Sequence, residues 1–246
     1  MRPGPLVVPE REDLVVARLA AGTAHAVVLR VPGVDDERGP LPDVLDDAER
    51  ARLVRFRLVP DRARYHAAHA ALRLVFGALL DADPRALRFG RARVPGSEGG
   101  LGRPVLVGGL GIARAPAPAD DGPAVEFSLS HGGGLVAIAV AGRGVPVGVD
   151  VEPVDPDALA VVPRLHPHER RHVEQTPHDD RPAAFTRLWT RKEAYVKAVG
   201  TGLRGALDAD DLTVDPPGWT VVDRAVPGHT AALAAPTGSA SSVTEA

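Results

Sequence analysis

Cysteine is absent from all 246 residues. A disulfide-stapled fold, a thiolate metal centre and a cysteine nucleophile are therefore excluded. Long apolar runs are missing too, since nothing approaches the roughly 18 consecutive apolar residues of a membrane span. The amino-terminal segment carries Glu10, Arg11, Glu12 and Asp13 where a signal peptide would place its apolar core. No membrane partner is expected, and the expected compartment is the cytoplasm. An excess of one charge is also lacking: 29 basic against 32 acidic residues leaves a net charge of −3. A nucleic-acid binder usually shows a basic patch, so no nucleic-acid partner is expected. Aromatic residues make up only 4%, whereas Gly (26) and Pro (24) are abundant, a balance that implies many loops around a modest core.

Lysine is the scarcest charged residue. Of the 29 basic residues 27 are arginine, and the only two lysines, Lys192 and Lys197, fall in one short segment. Arginine bias together with abundant Ala, Gly and Pro accords with a GC-rich coding sequence. A lysine in that background is informative, because an ammonium is a compact charge that a guanidinium does not replace.

The pattern of elements is α+β. Val27 to Val31 reads as a strand ended by Pro32-Gly33, and Ala48 to Leu58 as a helix capped by Asp46-Asp47. After Pro60 a longer helix places Ala68, Leu72, Val75, Phe76 and Leu79 on one stripe, with Arg62, Arg64, His66, His69 and Arg73 largely elsewhere. Residues 95–124 read as surface loop. Strands are expected at Val125 to Leu129, Leu135 to Val140 and Val147 to Glu152, then a helix from Pro182 to Val199 stopped at Gly200. Leu212 to Val214, Trp219 to Val222 and Thr230 to Ala234 read as closing strands. The division expected is 1–145 for an N-terminal half, 146–236 for a C-terminal half and 237–246 for a disordered tail.

Three segments could carry chemistry. In Gly148-Val149-Asp150-Val151-Glu152 the strand alternation puts Asp150 and Glu152 on one face beside a glycine that leaves room for something bulky. Two readings stand: a solvated strand face, or paired carboxylates holding Mg²⁺ or Mn²⁺. In Trp189 to Lys197, an apolar stripe of Phe185, Trp189, Val196 and Val199 anchors a helix, and Glu193 sits one turn from Lys197. An exposed Glu–Lys pair of this spacing contributes only about 0.2–0.5 kcal/mol. A third carboxylate with two lysines would instead suit a metal-bound pyrophosphate. Phe127 to Gly134 supplies Ser130, His131 and a glycine run; it reads equally as a turn or as backbone facing an anion.

A rival pattern is His168-Glu169-Arg170-Arg171-His172, which fits the H-E-x-x-H of zinc peptidases. Its helix runs at most from Pro167 to Pro177, and two arginines lie between the would-be ligands. A solvated helix is the expected outcome.

Taken in order, these segments resemble the surfactin-type 4′-phosphopantetheinyl transferases. Gly102-Arg103-Pro104 is similar to the family's G-K-P, and Phe127 to His131 to F-N-x-S-H. Gly148 to Glu152 is similar to G-(V/I)-D-(V/I)-E, and Trp189 to Lys197 to W-x-x-K-E-x-x-x-K, followed by Gly200-Thr201-Gly202-Leu203 as G-x-G-L. The resemblance implies two similar α+β halves with pseudo-twofold symmetry and a coenzyme A cleft between them. It implies transfer of 4′-phosphopantetheine from coenzyme A to a serine of an acyl or peptidyl carrier protein, with release of adenosine 3′,5′-bisphosphate, by a monomer serving secondary metabolism. Asp150, Glu152 and Glu193 would hold Mg²⁺, Glu193 would take the serine proton, and Lys197 would neutralise the leaving group. Lys192, Ser130, His131, Arg103 and Arg64 would meet coenzyme A phosphates. Arg103 departs from the family's lysine. An idle coenzyme A-binding module and the zinc peptidase are the alternatives.

Overall fold

The computed structural model describes residues 6–9, 11–31, 40–91, 104–108, 125–200 and 207–238. Strands β1 (Val15–Ala21) and β2 (Ala24–Arg30) precede helices α1 (Asp47–Leu53) and α2 (Val59–Leu80). Strands β3 (Arg88–Arg91), β4 (Pro104–Gly108), β5 (Val125–Gly132), β6 (Leu135–Gly142) and β7 (Gly148–Pro153) follow. Helices α3 (Pro167–Gln175) and α4 (Arg181–Val199) lead to β8 (Trp219–Val226) and β9 (His229–Pro236). The strands form antiparallel sheets of order β1-β2-β6-β5 and β7-β9-β8, with β3 and β4 as a separate pair.

The central strands explain how these layers stack. Strand β6 is apolar on both faces, but it alternates in size: Val136, Ile138 and Val140 point one way and Ala137, Ala139 and Ala141 the other. The larger residues meet Ala68, Leu72, Val75 and Phe76 of α2, the stripe expected from the sequence. The alanines face the second sheet, meeting Val147, Val149 and Val151 of β7 and Ala231, Leu233 and Ala235 of β9. On the far side of that sheet, Ala232 and Ala234 pack against Ala194 and Ala198 of α4. The order of layers is therefore helix, sheet, sheet, helix, and each half repeats an α+β design of a helix on an antiparallel sheet. Among the described residues no helix is long and apolar enough to cross a membrane.

Several expected elements change. Helix α1 stops at Leu53, not Leu58, although its cap is as expected: Asp46 Oδ1 accepts from Glu49 N at 2.9 Å and Glu49 Oε2 from Asp46 N at 3.0 Å. Part of the expected surface loop, Pro104–Gly108, is strand β4. Leu212 to Val214 form turns, because Leu212 N donates to the Glu169 carboxylate and Leu212 O accepts from Arg191, leaving no strand partner. Arg73 is not on a polar face. It is fully buried, and its guanidinium reaches Asp46 (2.6 Å), Glu49 (2.7 Å) and the carbonyls of Pro84 and Leu87. A planar fork of five donors is suited to ordering so many acceptors at once.

The face of α4 also differs from the expected stripe. Val199 is exposed, and alanines 194 and 198 lie against β7 where the helix backbone nearly touches Gly148. A Cβ at Gly148 would lie 1.9 Å from Ala194 O and 2.6 Å from Ala198 N. The room left by this glycine is thus filled by helix backbone. Gly148→Ala is expected to push α4 away and cost about 1–3 kcal/mol or more, read as a lower urea midpoint; an unchanged midpoint would contradict the close approach.

Candidate active site

The two sheets join where β5 of the first runs beside β7 of the second. Val149 N donates to the buried Ser128 Oγ at 3.1 Å, and Gly132 is so near β7 that a Cβ there would lie 2.6 Å from Val151 O. This seam sets Ser130 and His131 beside Asp150 and Glu152. Because β7 alternates, its valines face the first sheet while Asp150 and Glu152 face α4. Helix α4 contributes Glu193 and Lys197, which share a face one turn apart.

At the centre is Asp150, only 2% exposed. Its Oδ1 accepts from Ser130 Oγ at 2.7 Å and from Lys197 Nζ at 2.6 Å. Lys197 Nζ also donates to Ser130 Oγ (3.0 Å) and the Val149 carbonyl (3.3 Å). Lys197 therefore turns to the strand and not to Glu193, so the exposed helix pair does not form. The other oxygen, Asp150 Oδ2, is buried with no hydrogen-bond partner. An orphaned carboxylate oxygen in such a place normally carries a penalty of about 1–3 kcal/mol or more.

The neighbouring acids feel the same crowding. Burial, with the Asp150 and Glu193 charges adding to it and Lys197 opposing, pushes the Glu152 carboxyl up to about 7. Burial, and then the Asp150 charge, raises Glu193 as well. Carboxyls whose pKa values are raised by burial and then by neighbouring negative charge, around an oxygen with no partner, are the oxygen donors a hard divalent cation would take, although their ligand atoms do not all lie within 4.8 Å of one another.

Beside this cluster opens a cleft of about 700 Å³, between α1, α2, β3, β4 and β5. Arg52, Arg64, Arg91, Ser130, His131 and Lys197 line it, so Ser130 and Lys197 belong to both cleft and carboxylate cluster. The ion pair of Arg64 with Asp61 is long, at 3.4 Å, and partly exposed on both sides; such pairs are weak and readily exchanged for a ligand anion. Loss of solvent around the ring, and then the Arg64 charge, hold His131 below the usual histidine value. A bound phosphate would reverse the effect of that charge.

The structure thus brings together Arg64, Ser130, His131, Asp150, Glu152, Glu193 and Lys197. Arg103 lies outside the described residues, although Pro104 after it lines the cleft. The glycine run does not face the cleft: Gly133 and Gly134, with φ of 52° and 86°, make the tight β5–β6 turn. Arg52 and Arg91 were missed. On sequence alone nothing separates two arginines from the other 25, and only the fold sets these two exposed side chains along the cleft.

Lys192 is the main correction. In place of a phosphate contact, its buried ammonium pairs with the fully buried Glu169 at 3.0 Å and donates to Asp210 O at 2.6 Å. Glu169 also accepts from Leu212 N and from His166 N, the latter closing the cap of α3. A carboxylate so engaged is no peptidase base, and His168 turns to Asp211 while His172 stays exposed. The zinc peptidase reading is overturned.

Two measurements check these electrostatics. Glu152 titrates at 4.5 when unperturbed and near 7 in the fold, so the folded chain holds that proton more tightly and stability falls as pH rises from about 4.5 through about 7. Glu152→Gln should flatten this part of the urea-unfolding profile, and an unchanged slope would refute it. Lys192→Met should cost about 3–5 kcal/mol by stranding Glu169, while Lys192→Met with Glu169→Gln should regain much of the loss; equal losses would mean the pair is not coupled.

Comparison with known proteins finds similarity to one family. Residues 146–238 match the family model of the 4′-phosphopantetheinyl transferase superfamily. A protein of Synechocystis sp., provisionally named a 4′-phosphopantetheinyl transferase, is 30% identical over 170 residues, covering 67% of this chain and 61% of that protein. The 4′-phosphopantetheinyl transferase HetI of Nostoc sp. is 27% identical over 209 residues, covering 79% of this chain and 80% of the relative. The 4′-phosphopantetheinyl transferase Sfp of Bacillus subtilis is 28% identical over 104 residues, covering 42% and 46%. The matched part therefore spans less than two thirds of the Synechocystis protein and less than half of Sfp.

Proposed function

Because the chain belongs to the 4′-phosphopantetheinyl transferase superfamily through residues 146–238, we propose that it transfers 4′-phosphopantetheine from coenzyme A to a serine of an acyl or peptidyl carrier protein. The observation that carries this reading is the partnerless buried oxygen of Asp150, beside a cleft lined by Arg52, Arg64, Arg91 and Lys197 as well as Asp46, Glu49 and Asp61, and beside two further carboxyls with raised pKa values.

Asp150, Glu152 and Glu193 would hold Mg²⁺, or Mn²⁺, since a hard cation suits an all-carboxylate set. When bound, such an ion neutralises pyrophosphate charge and polarises the phosphoryl group under attack. The chain's own residues supply the rest. Arg64, His131 and Arg52 line the cleft and would take the nucleotide phosphates, with Arg103 expected to join them. Lys197 fixes Asp150 Oδ1 and Ser130 Oγ, and its ammonium borders the cleft where negative charge builds on the leaving group.

The carrier serine oxygen would attack the phosphorus that bears pantetheine. One phosphorus–oxygen bond forms, the pyrophosphate bond breaks, and adenosine 3′,5′-bisphosphate departs with the bonding electron pair. The serine proton passes to Glu193.

Incubation of several apo carrier proteins with coenzyme A and Mg²⁺ should add the phosphopantetheine mass, and chelation should abolish the gain until Mg²⁺ is restored. Glu193→Gln should keep its fold and lower turnover by about 10²–10⁴. Lys197→Arg should also lower turnover, because a fork cannot reproduce the three short contacts of one ammonium. Wild-type labelling by Glu193→Gln would sink the assignment, and binding of coenzyme A without transfer to any carrier would leave an idle binding module.

A further inference from the structure

One cluster of metal-ligating side chains lies outside the candidate active site. His166 and His168, on either side of Pro167 at the start of α3, both turn toward Asp211. His168 Nδ1 lies 2.9 Å from Asp211 Oδ2, and His166 Nδ1 lies 4.0 Å from the same oxygen. Among the described residues this is the group of three such side chains whose ligand atoms all fall within 4.8 Å of one another.

We propose that His166, His168 and Asp211 form a binding site for a divalent transition metal of the Zn²⁺ or Co²⁺ type, separate from the carboxylate cluster around Asp150. A tetrahedral ion with bonds of about 2.0–2.1 Å spaces its ligands roughly 3.3–3.4 Å apart. The two separations to Asp211, 2.9 and 4.0 Å, bracket that value, and all three ligand atoms lie within 4.8 Å of one another. Two imidazoles with one carboxylate favour Zn²⁺, Co²⁺ or Ni²⁺ over Mg²⁺, and three protein ligands leave a position for water.

The surroundings hold the ligands in place. Asp211 Oδ1 accepts from Thr213 N at 3.0 Å and Thr213 Oγ1 at 2.6 Å, which leaves Oδ2 to the histidines. Such outer hydrogen bonds orient a ligating carboxylate. The backbone on either side is fixed as well, by Lys192 on Asp210 O and by Glu169 on Leu212 N. His166 Nδ1 receives only a 3.3 Å contact from His168 N, a lone pair that a metal would take over. A bound ion would clasp α3 to residues 210–213, the segment that also receives Lys192 and Arg191 of α4.

Titration of the full chain with Co²⁺ in excess Mg²⁺ tests the site, because four- or five-coordinate Co²⁺ absorbs visible light far more strongly than the six-coordinate ion. One equivalent should develop intense bands and raise Tm, and Zn²⁺ should displace it. His168→Ala, at an exposed position, and Asp211→Asn should each weaken Co²⁺ binding at least about tenfold. Asp150→Asn should keep the bands. Weak six-coordinate absorption alone, or bands that survive in His168→Ala or vanish in Asp150→Asn, would overturn the proposal.

Discussion

Helix α4 rests on strand β7 with its backbone against Gly148, and that close approach governs the spacing of Asp150 and Glu152 from Glu193 and Lys197. A strand presents a side chain on each face every second residue, so the residues flanking a contact point are also the ones the helix covers. Asp150 and Glu152 follow Gly148 on that face, and Glu193 and Lys197 flank Ala194 and Ala198 on the helix. With a side chain at 148 the helix would ride higher, and the 2.6 Å contact between Lys197 and Asp150 would open. Backbone packing and the placement of charge are one constraint here.

The same closeness makes the site electrostatically unbalanced. Among the carboxyls at 150, 152 and 193, only Asp150 receives an ammonium, and only at one oxygen. Two other buried charges are matched in full. Arg73 finds two carboxylates and two carbonyls, and Glu169 finds an ammonium and two amides. The interior is satisfied around Arg73 and Glu169, whereas Asp150 keeps an oxygen without a partner where chemistry is proposed.

Much of this was legible because two periodicities are local. Asp150 with Glu152, and Glu193 with Lys197, follow from repeats of 2.0 and 3.6 residues, as does the α2 stripe from Ala68 to Phe76. What could not be read depends on distant partners. Arg73 looks like a surface residue until Asp46 and Glu49, 27 and 24 residues earlier, are folded against it. Lys192 and Lys197 look alike, and only the position of α3 commits one to Glu169 and leaves the other to Asp150. The short β3 and β4 have arginine at both ends of one strand and no clear alternation. Leu212 is fully buried, as a strand residue would be, but its backbone is spent on Glu169 and Arg191.

The pair of Lys192 with Glu169 bears on how this protein can drift. Arginine lies one base change from lysine, and 27 of the 29 basic positions hold it. At 192 that route is closed by geometry: the space between Glu169 Oε1 and Asp210 O admits a single ammonium nitrogen at 3.0 and 2.6 Å, with the side chain only 4% exposed. A guanidinium there would need room for two more nitrogens in a filled interior. Neither can the glutamate leave first, for a lone buried ammonium would remain. Lysine and glutamate are thus coupled by packing, inside a composition that otherwise favours arginine.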